Sequence, residues 1–217
     1  PSQFDNLGLD SAALQRHVAW DPGALGVALG MAAQLDAVLI AAKTSRLSYD
    51  CNRPPEACDA MPARSEIFDI PGNEHLSAQQ KAARVTTYYE PFRSADAQVL
   101  ASVSNPVLVT VHSFTPVYHG VKRDVEIGIL HDSDARLADA ILAEADNTYA
   151  VRRNEPYGPN DGVTHTLKEH ALPNGHLNVM LEVRNDLITS DTSQLAMADV
   201  LSSWLERALA KVGATTC

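Results

Sequence analysis

The sequence has 217 residues, enough for one domain of ordinary size. Seventeen basic side chains against 27 acidic ones leave a formal charge of -10, which repels polyanions and excludes nucleic acid as a partner. A hydrophobic share of 45% and a charged share of 20% exclude collagen-like, coiled-coil and disordered classes.

The chain opens at Pro1, and residues 1–10 read as the middle of a loop, so a strand upstream of them is expected. Leu25, Ala28, Leu29, Ala32 and Leu35 then recur at helical spacing behind Asp21 and Pro22, which predicts a helix over 23–35 with Asp21 as its cap. Residues 38–42 form a short apolar run of the kind found in a strand buried on both faces. Residues 45–62, rich in Arg, Asn and Pro, read as a functional loop. Residues 77–104 are mostly helical, with Ser77 as the cap and Pro91 as a kink or split. Three further apolar runs, 107–112, 125–130 and 177–183, read as buried strands. Helices are expected at 134–145, near 164–171 and over 191–212. Strands alternating with helices predict an α/β protein with a mixed, mostly parallel sheet flanked by helices in three layers, and no linker divides 1–217 into more than one domain.

Cys51, Cys58 and Cys217 are an odd set without a CxxC pair, which argues against a disulfide framework and a structural zinc site and for a reducing, cytoplasmic setting. No apolar run nears the roughly 20 residues of a membrane span, and no leader pattern opens the chain, so no membrane partner is expected.

In α/β sheets ligands gather at the carboxyl ends of strands, so polar residues just after an apolar run are the ones to question. His112 ends one such run and Glu182 another. His112 reads either as a metal ligand or catalytic group or as a hydrogen-bonded strand-end histidine. Glu182 in a buried strand is costly unless it pairs or binds, and Arg184, two residues on, is the plain salt-bridge partner. Arg53, between Asn52 and two prolines, reads as a rigid clamp for a carboxylate or as a brace for its own loop. No dinucleotide, P-loop or serine-hydrolase motif occurs.

Taken together and in order, Ser45-Arg46-Leu47, Asp50-Cys51-Asn52-Arg53-Pro54-Pro55, Ile70-Pro71-Gly72-Asn73, His112-Ser113-Phe114-Thr115-Pro116, Asn154-Glu155-Pro156-Tyr157 and Glu182-Val183-Arg184-Asn185-Asp186 resemble the N-formylglutamate amidohydrolase family over nearly the whole chain. The resemblance implies a zinc carboxypeptidase-like fold, related to aspartoacylases. It also implies one Zn2+ ion and hydrolysis of an N-acylated acidic amino acid, in the setting of amino-acid catabolism and histidine degradation. On it His112 is a zinc ligand, Glu182 the catalytic carboxylate, and Asn52 and Arg53 the pair that holds substrate and polarises the scissile carbonyl. Arg84 and Arg123 are candidates for the other carboxylate; either reads equally as a surface residue. Asp21 is the candidate acidic zinc ligand or a plain helix cap, and His17 a weaker alternative. The family's first zinc histidine would lie upstream of Pro1. The partner expected is a small N-acyl amino acid, met by a monomer or small homo-oligomer. Two other readings compete: a non-catalytic carboxylate-binding protein on the same fold, and a carboxypeptidase-like metallopeptidase.

Overall fold

The computed structural model describes residues 2–213. In chain order its elements are α1 (Ser11–Leu14), α2 (Ala24–Gln34), β1 (Arg64–Ser65), β2 (Phe68–Asp69), α3 (Ala78–Arg84), a π-helical turn (Val85–Tyr89) and α4 (Glu90–Ser102). They continue with β3 (Val107–Phe114), β4 (Val117–Tyr118), β5 (Val121–Lys122), β6 (Ile127–Leu130), α5 (Arg136–Glu144), β7 (Val151–Arg153), β8 (Leu177–Arg184) and α6 (Asp191–Lys211). The chain forms two compact units: residues up to Trp20 with Ile40–Ser102, and Asp21–Leu39 with the residues from Val103 onward.

The second unit is built on a four-stranded sheet in the order β3-β8-β6-β7. β3 pairs parallel with β8, β8 antiparallel with β6, and β6 parallel with β7, so the sheet is mixed. The predicted runs at 107–112, 125–130 and 177–183 supply β3, β6 and β8. Alternation sends Val107, Val109, Val111, Val179, Leu181, Val183, Ile127 and Ile129 to one face. There they pack with Val27 and Met31 of α2, Leu137 and Ile141 of α5, and Leu201, Trp204 and Leu205 of α6. α6 starts under a capping box, with the Ser190 hydroxyl accepting from Ser193 N–H. On the opposite face Leu130 and Met180 meet Val163 and, in the helical turn that follows it, Leu167.

Asp21 does not cap α2. The capping position is Gly23, held at φ 80° in the left-handed region, where a β-carbon would come within 2.3 Å of the Ile188 carbonyl oxygen. The Asp21 side chain is used elsewhere, as described below.

The first unit holds two small cores, one of Leu7, Val18, Ala19, Leu47 and Ile70, the other of Tyr49, Ala60, Met61 and Tyr89. Ser77 caps α3 in a capping box with Gln80, as its sequence position predicts. The break expected at Pro91 takes the form of a π turn, in which the Glu90 N–H donates to the Val85 carbonyl and the helix widens just ahead of the proline.

Residues 38–42 are not a strand. A strand exists through the ladder bonds of a neighbour, and among the described residues none pairs with this run. Val38 and Leu39 are exposed.

Candidate active site

The ladder register assembles the centre of the site. In the parallel pair of β3 and β8, His112 is opposite Glu182 and Phe114 opposite Arg184. Directly opposed residues in adjacent strands point to the same face, so the imidazole and the carboxylate stand side by side at the carboxyl ends of both strands. Glu182 is buried, 4% exposed. The plain salt bridge between Glu182 and Arg184 does not form: the Arg184 guanidinium goes to Glu126 (3.1 Å) and Asp186 (2.8 Å), and it donates also to the carbonyls of Arg123 and Val125.

His112 Nδ1 lies 2.8 Å from Asp21 Oδ2, a hydrogen bond across 91 positions of sequence. Next to it the Ser113 hydroxyl donates to the Pro22 carbonyl at 2.8 Å. Two successive residues of β3 thus clasp the two residues ahead of α2. A carboxylate bound to one imidazole nitrogen fixes the ring's tautomer and orientation. His and Asp are donor types that zinc accepts, but a catalytic zinc takes three protein ligands. Among the described residues no group of three or more His, Cys, Asp and Glu stands close enough to hold a metal ion. The described residues therefore do not by themselves fit a zinc site.

Gly128 of β6 is opposite Glu182 on the other side of β8. A β-carbon there would come within 2.1 Å of the Glu155 carbonyl oxygen, so only glycine lets the segment 154–157 lie against the sheet. That segment is pinned at Asn154, whose N–H donates to the Ile129 carbonyl and whose side chain accepts from His131 N–H. It brings Tyr157 within electrostatic reach of Glu182 and Arg123; burial above all, and Glu182 besides, raise the phenol's pKa against the lowering pull of Arg123. The sequence places Tyr157 in the Asn154-Glu155-Pro156-Tyr157 motif without a role for it; Gly128, the small residue in an otherwise aliphatic β6, is the signal that this segment lies against the sheet.

Asn52 and Arg53 belong to the first unit. Asp50, nearly buried, organises their loop: its carboxylate accepts from Arg46 Nη2 at 2.7 Å and from the Asn52 N–H at 3.0 Å. Burial pushes its pKa up, but the Arg46 and Arg53 charges and these bonds outweigh it and hold the group below the usual carboxylate range. Arg53 donates to Asp59 at 2.6 Å and to the Asn52 carbonyl at 2.9 Å, a partial brace of its own loop. The Cys51 thiol, pushed up to about 12 by burial and by Asp50 and Asp96, stays protonated and is no nucleophile.

Arg84 is buried, 4% exposed, and its guanidinium is engaged by the Ser48 and Gly72 carbonyls and Asn73 Oδ1 (2.6 Å), with the Phe4 ring 4.4 Å away. Asn73 in turn donates to the carbonyls of Leu47 and Pro62. This hub braces the loop that carries Asp50, Asn52 and Arg53. His17 bonds Glu66 at 2.7 Å. Cys51 and Cys58 are free, and Cys217 lies outside the described residues. No helix among the described residues is long and apolar enough to cross a membrane.

A family model described as N-formylglutamate amidohydrolase matches residues 1–189. Among solved structures, a gene product of Agrobacterium tumefaciens is 51% identical, with a TM-score of 0.96 over 98% of this chain and 86% of its own. The N-formylglutamate amidohydrolase of Ralstonia eutropha JMP134 is 15% identical with a TM-score of 0.59, over 88% and 82% of the two chains, a likeness of fold. No curated protein matches.

Proposed function

The chain belongs to the N-formylglutamate amidohydrolase family, and from that premise we propose that it hydrolyses the formyl amide of N-formyl-L-glutamate to formate and L-glutamate. What supports this above all is the register that sets His112 beside a buried Glu182 at the ends of two parallel strands.

In the proposed reaction a water molecule is the nucleophile. Glu182 takes its proton as the oxygen attacks the formyl carbon, then delivers that proton to the amide nitrogen as the C–N bond breaks, so the acid and the amine leave in balance. His112, oriented by Asp21, holds the water and carbonyl in register. Asn52 and Arg53 are proposed, from the family resemblance, to bind substrate and stabilise the oxyanion. Arg84 serves that loop as a brace.

Zinc dependence is part of the proposal on resemblance alone. On that resemblance His112 and Asp21 would be two of the ligands. No step above is routed through the ion.

The test is formate release from N-formyl-L-glutamate beside other N-formyl amino acids and short peptides, before and after chelation. Metal content by plasma mass spectrometry of wild type, His112→Ala and Asp21→Ala gives a readout independent of turnover. Hydrolysis of N-formylglutamate above all other substrates is expected. Faster peptide cleavage would establish the peptidase reading instead, and binding without turnover on any substrate would establish the carboxylate-binding one.

A further inference from the structure

Four arginines of the second unit, Arg136, Arg153, Arg184 and Arg207, each pair with a carboxylate. Arg123, half-buried, pairs with none among the described residues, though Asp124 is its sequence neighbour. Its guanidinium is instead bordered by three aromatic rings: Tyr118 at 4.6 Å, Tyr157 at 4.8 Å and Phe114 at 5.5 Å from carbon to ring centroid. Its backbone N–H donates to the Pro116 carbonyl at 2.9 Å, and Nη1 donates to the Thr115 carbonyl at 3.3 Å.

Aromatic faces attract a guanidinium without neutralising its charge, and the Tyr157 phenol also shares a hydrogen bond with Arg123. Such a box fixes the direction of the fork while leaving its charge uncompensated. A half-buried cation of this kind is costly unless an anion completes it, and a planar fork is completed best by a carboxylate. The rings are themselves anchored in the site. Phe114 is opposite Arg184, two residues beyond the His112 and Glu182 pair. Tyr157 hangs from the segment that Gly128 admits against the sheet beside Glu182.

We propose that Arg123 and Tyr157 together form the carboxylate subsite that selects the acidic substrate, the guanidinium as a fixed fork and the phenol as a further hydrogen-bond donor. This rests on the amidohydrolase reading given above and adds to it a specificity device, of which Tyr157 is the new member. A carboxylate seated there holds the N-acyl amide at a fixed reach from Glu182. Either the α- or the γ-carboxyl of the amino acid supplies it, and the analogues below separate the two.

The experiment compares wild type, Tyr157→Phe, Arg123→Lys and Arg123→Ala on N-formyl-L-glutamate, its α-amide and N-formyl-L-glutamine. Formate release gives kcat and KM, and calorimetric titration with each compound gives binding without turnover. Tyr157→Phe is expected to raise KM about tenfold and Arg123→Ala about 100-fold, with kcat changed much less. The analogue whose amide replaces the bound carboxylate is expected to be poor for wild type and indifferent to both substitutions. Arg123→Lys and Tyr157→Phe keep the charge and the ring, so they report even where Arg123→Ala fails to fold. If wild type turns over and all variants keep the same KM and the same preference for N-formylglutamate, the subsite is overturned while the function stands. If wild type turns nothing over but binds N-formylglutamate through Arg123, the subsite stands and the hydrolase reading falls. Failure to bind it at all overturns both.

Discussion

Leu181 and Glu182 are neighbours in the central strand β8, and both are almost fully buried, yet they face opposite sides of one sheet and meet opposite chemistry. On the Leu181 side three helices cover an unbroken aliphatic surface, and Trp204 of α6 is 2% exposed beneath it. On the Glu182 side the strand ends carry His112, Phe114 and Arg184, with Gly128 making room for the segment that bears Tyr157. Burial on the first side is the source of stability, since each aliphatic side chain removed from water contributes about 1.5–3 kcal/mol. Burial on the second side costs stability unless the polar groups are paired, and it is kept for the chemistry of the strand ends. A period of two along the strand is enough to keep the functions apart.

The largest expected effect comes from breaking the polar side alone. Glu182→Gln keeps the volume and removes the base, so formate release is expected to fall by about 10²- to 10⁴-fold while the protein stays folded by circular dichroism. A variant with nearly full activity would take the base role from Glu182. The reciprocal change, Leu181→Ala, leaves a cavity among the helices and is expected to cost about 2–5 kcal/mol in denaturant melts. Activity per folded molecule should stay within a few-fold of wild type. If Leu181→Ala abolished turnover while the protein remained folded, the two faces would not be separable in the way the alternation implies.

Asp96 sharpens the same contrast from the other unit, as a carboxylate on which burial is the dominant influence. It is 7% exposed, and burial pushes its pKa up to about 6. The folded value is above the unfolded one, so the native state holds its proton more tightly. The group is neutral in both states below about pH 4, and its cost to stability grows as pH rises through 6. At pH 8 that cost is about 3 kcal/mol at most. Asp96→Asn is expected to be more stable than wild type at pH 8 by up to that amount, with the gain vanishing near pH 4. Melts at the two pH values that moved in parallel would show that burial is not what governs Asp96.

The aliphatic side of this design is legible in the sequence because it is periodic. The apolar runs of β3, β6 and β8 and the capping residues Ser77 and Ser190 follow from local composition, and the strand-end positions of His112 and Glu182 follow from where those runs stop. What is not legible depends on groups far apart along the chain. Asp21 reads as a cap because its true partner is His112, 91 positions away. Arg84 reads as a substrate-carboxylate candidate or a surface residue because the carbonyls of Ser48 and Gly72 that it serves carry no side-chain signal. Residues 38–42 have the composition of a strand, but composition cannot supply the neighbour that a ladder requires.

The smallest of these effects, and the finest probe of the polar side, concerns Asp21. Its carboxylate does not need to touch the substrate to matter, since it holds His112 by one nitrogen at 2.8 Å and so decides where the other points. Asp21→Asn keeps the shape but offers an amide, which either donates to a ring nitrogen or accepts through a neutral oxygen, and either way the preference for one tautomer weakens. Loss of such an orienting carboxylate is expected to lower kcat about 10- to 100-fold. KM should hold, because the residues proposed to bind the substrate are untouched, and Asp21→Glu should restore only part of the rate. The His112 ring proton gives a readout that a merely structural role would not move: in nitrogen-detected NMR the wild type should show one tautomer, and Asp21→Asn a mixture. A single unchanged tautomer in the variant, with a rate equal to wild type, would mean that the ring is fixed by β3 alone and that Asp21 only fastens the entry to α2.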